Sequence, residues 1–287
     1  MRPAPFEYLA PGTVEEACTQ LCSDAEGTRI LAGGQSLMPV LVRRQDRPRR
    51  LVDITKIPEL QQFSATDSHL QVGAAVTQRT VEMSDEVHDF NVLAQALPRV
   101  GKVTTRNRGT VCGSLAYANP AAEIGICLIV LGGEVTAISA RGIRAIPSDE
   151  FFLGPRRTAL QGDELLHTVR FNRPGPGTTG FFDEVTIRGP GDTPLVSAAV
   201  IAQMGADRTS AVRIAIGGAG QAPVLAGPEI CASLANSLDD DTIDHVGRTF
   251  AAELGFTTDA HVGGDYRRRL AVRILGRLLR RLRGQLR

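Results

Sequence analysis

Short apolar runs separated by glycine- or proline-marked breaks set the pattern of this chain, and each run predicts one element. Thr13-Val14-Glu15-Glu16 has a hydroxyl at N-cap and a carboxylate three residues on, which predicts a helix to about Cys22. Thr28–Leu31 reads as a buried strand that stops at Gly33-Gly34. Leu37–Val42 reads as a helix opening, with Pro39 near the first turn, where a missing N–H costs little. Leu51–Ile54 is a further short strand, so residues 1–55 read as a small α/β subdomain.

From 56 to 175 the pattern shifts to α+β. Leu70–Ala74 and Thr77 alternate as a strand does, and Val87–Arg99 reads as a helix stopped near Pro98 and Gly101. Ala121–Leu131 predicts an apolar helix, with strands at Glu134–Ser139 and Leu165–Phe171. Asn172–Gly180, rich in proline and glycine, reads as a linker. Beyond it, within 176–287, Phe182–Ile187, Val196–Met204 and Ala211–Ile216 predict antiparallel strands, followed by helices near 240–254 and 265–284. In the last helix Leu270, Ile274, Leu278 and Leu282 recur every four residues, opposite an arginine side. A solvated face or subunit contact is the simpler reading of those arginines; a peripheral membrane contact is the alternative.

Composition narrows the class. The chain has 287 residues, 43% hydrophobic and 22% charged, enough for a core but not for disorder. A net charge of +1 supplies no general field for nucleic acid. No apolar run nears the roughly 20 residues of a membrane span, and the N-terminus lacks a signal-peptide core, so a cytoplasmic location is expected. Five cysteines and five histidines show no metal-ligand spacing, so no metal site is expected.

Two segments carry candidate chemistry. Ala32-Gly33-Gly34-Gln35-Ser36 lies between a strand and a helix start, where glycines expose successive N–H groups and a helix N-terminus favours a phosphate. Taken alone it also reads as a tight turn without a ligand. Thr110-Val111-Cys112-Gly113-Ser114 repeats the glycine–hydroxyl character, and two such turns suit a dinucleotide's diphosphate, clamped from both sides. Gly175-Pro176-Gly177-Thr178-Thr179-Gly180 fits G-x-G-x-x-G literally, but its prolines and the lack of a following helix make it a linker. No nucleophile–base arrangement stands out.

Four stretches carry a resemblance: A-G-G-Q-S-L-M-P-V-L at 32–41, R-N-R-G-T-V-C-G-S-L-A-Y-A-N-P-A-A-E at 106–123, I-A-I-G-G-A-G-Q-A-P at 214–223, and D-A-H-V-G-G-D-Y-R-R-R-L-A at 259–271. In this order they resemble the FAD-binding (medium) subunits of molybdenum hydroxylases, such as the flavin subunit of aerobic carbon monoxide dehydrogenase and the flavin domain of xanthine dehydrogenase. The resemblance implies an α+β, vanillyl-alcohol-oxidase-like (PCMH-type) FAD-binding fold with a C-terminal domain of antiparallel sheet plus helices. It implies FAD as cofactor, held by Arg29, Leu31, Ala32, Gly33, Gly34, Gln35, Ser36 and Leu37 from the first stretch. Val100, Gly101, Thr110, Cys112, Gly113, Ser114 and Ala116 would form the second wall, with Glu123 near the adenosine half and Leu166 or Leu165 packing on a ring.

The chain departs from the family pattern in places. Cys112 stands where a glycine is usual and is expected to make any positive φ costly there. Tyr117 and Asn119 replace a common His and Asp. Glu184 occupies a frequent lysine position, and Asp192-Thr193 falls where the carbon monoxide enzyme has an aromatic residue covering the flavin. By the same resemblance, a molybdopterin-containing large subunit and a [2Fe–2S] small subunit are the implied partners, in a dimer of heterotrimers, with electrons leaving to an external acceptor. A stand-alone flavin oxidoreductase of the same fold and a non-enzymatic nucleotide-binding module remain as rivals.

Overall fold

The structure is a computed structural model and describes residues 2–204, 209–260 and 262–285; His261 of the fourth stretch and Arg287 of the basic tail lie outside the described residues. Three larger sheets organise the described residues, beside a two-stranded one of Phe152–Gly154 and Arg157–Thr158. The first is parallel, in the order Glu7–Leu9, Arg50–Asp53, Thr28–Leu31. Its helix, Val14–Ser23, begins at the expected cap: Thr13 Oγ1 accepts from the Glu16 N–H at 3.2 Å. Glu16 answers one residue earlier than the sequence pattern implies, its Oε2 accepting from the Gly12 N–H at 2.7 Å. The mostly exposed strand Glu7–Leu9 has no apolar run to announce it.

The second sheet is antiparallel, in the order Phe63–Ala65, His69–Gly73, Leu165–Asn172, Gly133–Ser139, Gly142–Pro147. The expected single helix over 87–99 is instead three pieces: a 3-10 turn at Glu86–Asp89, a helix at Asn91–Ala96 and a 3-10 turn at Leu97–Arg99. Phe90, with ψ near 60°, leaves the helical region, and Pro98 has no N–H to extend an α ladder. The apolar helix starts at Glu123 rather than Ala121, because Asn119 folds its own turn through bonds from the Ala121 and Ala122 N–H groups. All nine residues of Glu123–Leu131 are buried, which is why the run shows no polar stripe.

The third sheet is antiparallel: Thr178–Thr186, Pro194–Met204, Thr209–Gly217, Val224–Leu225. Its first strand takes in Thr178–Gly180, so the connection from the second sheet shortens to residues 173–177. Two cores meet on this sheet. Phe182, Ala199, Ile201 and Ala215 face a cluster shared with the first two sheets, which runs across residue 55 without a break. Phe181, Ala198, Val200 and Ile214 face a second cluster against helices Pro228–Asn236, Asp240–Glu253 and Gly264–Gly284. Burial on both faces explains the near-continuous apolar run of 195–202.

The last helix spends its apolar side in that second cluster, through Ile274, Leu275, Leu278, Leu279 and Leu282. Its arginines are largely engaged: Arg277 pairs with Asp183, and Arg280 with Asp240 and Asp244. The apolar side is therefore not free to lie on a bilayer. Among the described residues no helix is long and apolar enough to cross a membrane.

Candidate functional site

A cleft of about 420 Å³ opens where the first sheet, the 100–123 segment and the loop before the third sheet's second strand converge. That volume is in the range of ligand pockets. The strand Thr28–Leu31 delivers Ala32–Ser36 to its wall, and Gly34 turns the chain with φ +72°. Gly33 has a different task. A Cβ there would stand 2.0 Å from the Arg108 carbonyl oxygen and 2.6 Å from the Gly109 Cα. The first motif is thus seated directly on the backbone of the second. Among the described residues no acceptor is seen for the N–H groups of Gly34, Gln35 and Ser36, which leaves a run of free donors at the turn.

The second motif is a helix start, not a loop. Thr110 caps the helix Val111–Tyr117, its Oγ1 accepting from the Gly113 N–H at 2.9 Å, while the Ser114 N–H donates to the Thr110 carbonyl at 3.2 Å. The Gly113 and Ser114 N–H groups are already engaged, so the two motifs differ in what they present: the first brings free N–H donors, the second mainly shape and hydroxyls. Cys112 also differs from expectation. It sits in the helix, not among the positive-φ residues, which besides glycine are Arg44, Ala118 and Arg156 among the described residues. Its thiol is buried against the Val72 carbonyl at 3.4 Å, and burial pushes its pKa up. The glycine-to-cysteine change therefore carries no backbone strain and turns its side chain into the core.

Buried Arg106 shapes the rim. It forms a two-pronged ion pair with Glu82 (2.8 and 3.0 Å) and donates to the carbonyls of Val100 and Gly101. Burial opposes ionisation of Glu82, but hydrogen bonds from Arg106 and Arg79 overcome it and hold its pKa low. Gly101 in turn lies beneath Gly191, where a Cβ would meet the Gly101 carbonyl oxygen at 2.5 Å. In this way the 187–193 loop closes onto the cleft and brings Gly191, Asp192, Thr193 and Pro194 to its wall. Hydrogen bonds from Arg188 hold Asp192 down at about 2.

The cleft lining includes Arg29, Ala32, Gly33, Gly34, Gln35, Ser36, Leu37, Val100, Gly101, Thr110, Gly113, Ser114, Ala116 and Glu123, the greater part of the residues singled out from sequence. Arg29 is tied to Asp46 at 2.8 Å. Leu31, Cys112 and Leu166 do not reach the lining: Leu31 packs beside Gly34, and Leu165 and Leu166 are buried in the first core. Gln78, Thr105, Gly109, Tyr117 and Asn119 line the cleft without having been singled out as site residues, and of these only Asn119 and Tyr117 carried a sequence signal, as departures from a family pattern. Glu123, at the first turn of a buried helix, has its carboxyl pushed up to about 8 by burial, with the charge of Glu184 adding to the rise. Burial likewise pushes Glu184 up to about 7 against the pull of Arg99, and its Oε2 has no hydrogen-bond partner.

The free donors of the first turn and the glycines that line the cleft fit a ligand that carries a diphosphate. Comparison with known proteins agrees. Residues 4–174 match the FAD binding domain in molybdopterin dehydrogenase, and residues 181–282 match the CO dehydrogenase flavoprotein C-terminal domain. The chain is 32% identical over 277 residues to the nicotine 6-hydroxylase medium subunit of Paenarthrobacter nicotinovorans, covering 96% of each. It is 32% identical over 217 residues to the carbon monoxide dehydrogenase medium chain of Hydrogenophaga pseudoflava, covering 75% of each. Among solved structures, quinoline 2-oxidoreductase from Pseudomonas putida 86 matches with a TM-score of 0.92, 32% identity and 98% of each chain covered. Carbon monoxide dehydrogenase from Hydrogenophaga pseudoflava matches with a TM-score of 0.93 and 27% identity, over 98% of each chain. With both halves matched and the PCMH-type fold in place, this chain belongs to the FAD-binding medium subunits of the molybdenum hydroxylases, a family of oxidoreductase subunits.

Proposed function

We propose that this chain is the flavin station of a heteromeric molybdenum hydroxylase, standing between the [2Fe–2S] clusters of a small subunit and an external electron acceptor. FAD, when bound, supplies the exchange between one-electron carriers and a two-electron acceptor. The observation that carries the reading is the seating of Gly33 on Arg108-Gly109, which joins two motifs over seventy residues apart into one cleft. In this reading the N–H groups of Gly34, Gln35 and Ser36 hold the diphosphate, and Thr110 fixes Gly113 and Ser114 opposite them. Arg29, Leu37, Val100, Gly101 and Ala116 complete the walls, and Glu123 bounds one end. Leu31, Cys112 and Leu166 act from behind the wall, as packing.

The chain's own work is to bind, orient and shield. No residue of the cleft is assigned a nucleophilic or acid–base role, which suits a relay subunit better than a stand-alone oxidase. The implied partners are a molybdopterin-containing large subunit and the [2Fe–2S] small subunit, in a dimer of heterotrimers, in the cytoplasm. Two FAD-binding subdomains divided near residue 55, and a C-terminal domain from about 176, describe the same chain; the family matches, which part between 174 and 181, support the second boundary. The test is affinity purification of the tagged chain from its host. Stoichiometric FAD with molybdenum and iron in co-purifying subunits is expected. Substrate oxidation by the isolated chain, without those subunits, would overturn the relay assignment.

A further inference from the structure

Among the described residues, none of the third stretch (214–223) or the fourth (259–271) lines the cleft, yet the two meet one residue behind its wall. Their meeting point is Leu195. The register of Thr178–Thr186 with Pro194–Met204 joins Thr186 to Pro194 and Val185 to Val196, so Leu195 is skipped as a bulge. Pro194, its neighbour, lines the cleft with Asp192 and Thr193. From the fourth stretch, Arg267 Nη1 donates to the Leu195 carbonyl at 2.7 Å. From the third, Gly218 crosses the same oxygen with φ +80°, where a Cβ would stand 2.5 Å from it. The Gly218 N–H donates to the Pro120 carbonyl at 2.9 Å, beside the cleft residue Ala121.

Arg267 is only 8% exposed on the helix Gly264–Gly284. Its Nη2 pairs with Asp259, and its Nε has no hydrogen-bond partner. A buried guanidinium with one ion pair and an unsatisfied N–H adds little net stability, and a methionine would fill much of the volume without that cost. What the guanidinium supplies is a charge-assisted donor held at a fixed angle to the bulged carbonyl. The other end of the loop is already seated, by Gly191 on the Gly101 carbonyl. We propose that Arg267 is a positioning residue for the cofactor: through the Leu195 carbonyl it fixes the Asp192–Pro194 wall of the cleft. This inference rests on the FAD reading above.

The test uses the full chain stripped of flavin, with FAD titrated by fluorescence quenching, the visible circular dichroism of the bound flavin recorded, and the thermal midpoint measured in parallel. Arg267→Met removes the donor and keeps most of the bulk. A rise in the FAD Kd of about 5- to 30-fold is expected, with an altered flavin dichroism. Gly218→Ala presses on the same carbonyl from the other side and should act in the same direction. Leu282→Ala is the control for stability alone: it lowers the midpoint through the second core, from the same helix, and should leave the FAD Kd within twofold of the parent. An FAD Kd within twofold of the parent in Arg267→Met would overturn the proposal, as would an equal rise in Leu282→Ala, which would mark a general loss of stability. If Arg267→Met does not fold, Gly218→Ala decides by the same limits. Failure of the parent chain to bind FAD would sink the cofactor reading itself, and the proposal with it.

Discussion

Replacing Gly33 with alanine tests the junction on which the site depends. The added Cβ would lie 2.0 Å from the Arg108 carbonyl oxygen, 2.6 Å from the Gly109 Cα and 2.7 Å from the Arg108 carbonyl carbon. All three are backbone atoms, and ordinary contact would require the two segments to part by more than about 1 Å. The second segment cannot easily retreat. The Gly109 N–H donates to the Thr105 carbonyl at 2.7 Å, the Gly109 carbonyl accepts from the Gln78 N–H, and the Val111 N–H donates to the Val76 carbonyl. Gly33 is not among the positive-φ glycines, so the penalty is steric and not conformational. Overpacking of this kind costs about 1–3 kcal/mol, and collision with backbone places this case at the upper end. For a chain of this size that corresponds to a fall in Tm of roughly 3–5 °C. The parted motifs should also weaken FAD binding by at least about tenfold, or 1.4 kcal/mol. Gly34→Ala is the matched control: its Cβ would meet nothing closer than 3.3 Å, but φ is +72°, so it costs about 1–2 kcal/mol through local strain alone. Thermal unfolding and FAD titration on the same preparations decide the matter. A Gly33→Ala protein that melts within about 1 °C of the parent and binds FAD equally would refute the junction.

Three further outcomes follow from the same geometry. Glu123 has a carboxyl pushed up to about 8 in the folded chain by burial and the nearby Glu184, against an ordinary value near 4.5 when unfolded, so the folded state holds the extra proton in between. Stability should therefore fall as pH rises through that window, and Glu123→Gln should flatten the decline between about pH 4.5 and 8; parallel Tm–pH curves would count against the buried acid. Arg106→Met leaves Glu82 only its pair with the more exposed Arg79 and frees the Val100 and Gly101 carbonyls, so a loss near the lower end of about 3–5 kcal/mol is expected in urea unfolding, and a loss under about 1 kcal/mol would contradict the pairing. Thr110→Val removes the cap from the Gly113 N–H and should cost about 1 kcal/mol, read as a lower urea midpoint, whereas Thr110→Ser should retain most of it.

Much of the fold is legible in the residues themselves, because local rules decide it. Thr13 and Glu16 mark a helix start by capping chemistry, the 123–131 run announces a helix buried on every side, and the four-residue spacing of Leu270 to Leu282 marks the last helix. The first motif is equally legible, since Gly33-Gly34 between a strand and a helix is a backbone requirement. Other features depend on partners that no local pattern names. Residues 87–99 read as one helix by composition, yet Phe90 and Pro98 divide it where it must bend onto neighbouring strands. Cys112 looks like a strained substitution until the helix turns it inward. Gln78 and Gly191 carry no sequence signal, Asp192-Thr193 carry one only as a departure from a family pattern, and tertiary packing brings them to the cleft. The raised carboxyl of Glu123 likewise comes from burial by distant elements. Periodicity reports whether a side is covered but not by what, so most of the elements and the first motif were determined by the sequence alone, while the joined cleft, its rim and its charge states were decided by contacts between residues far apart in the chain.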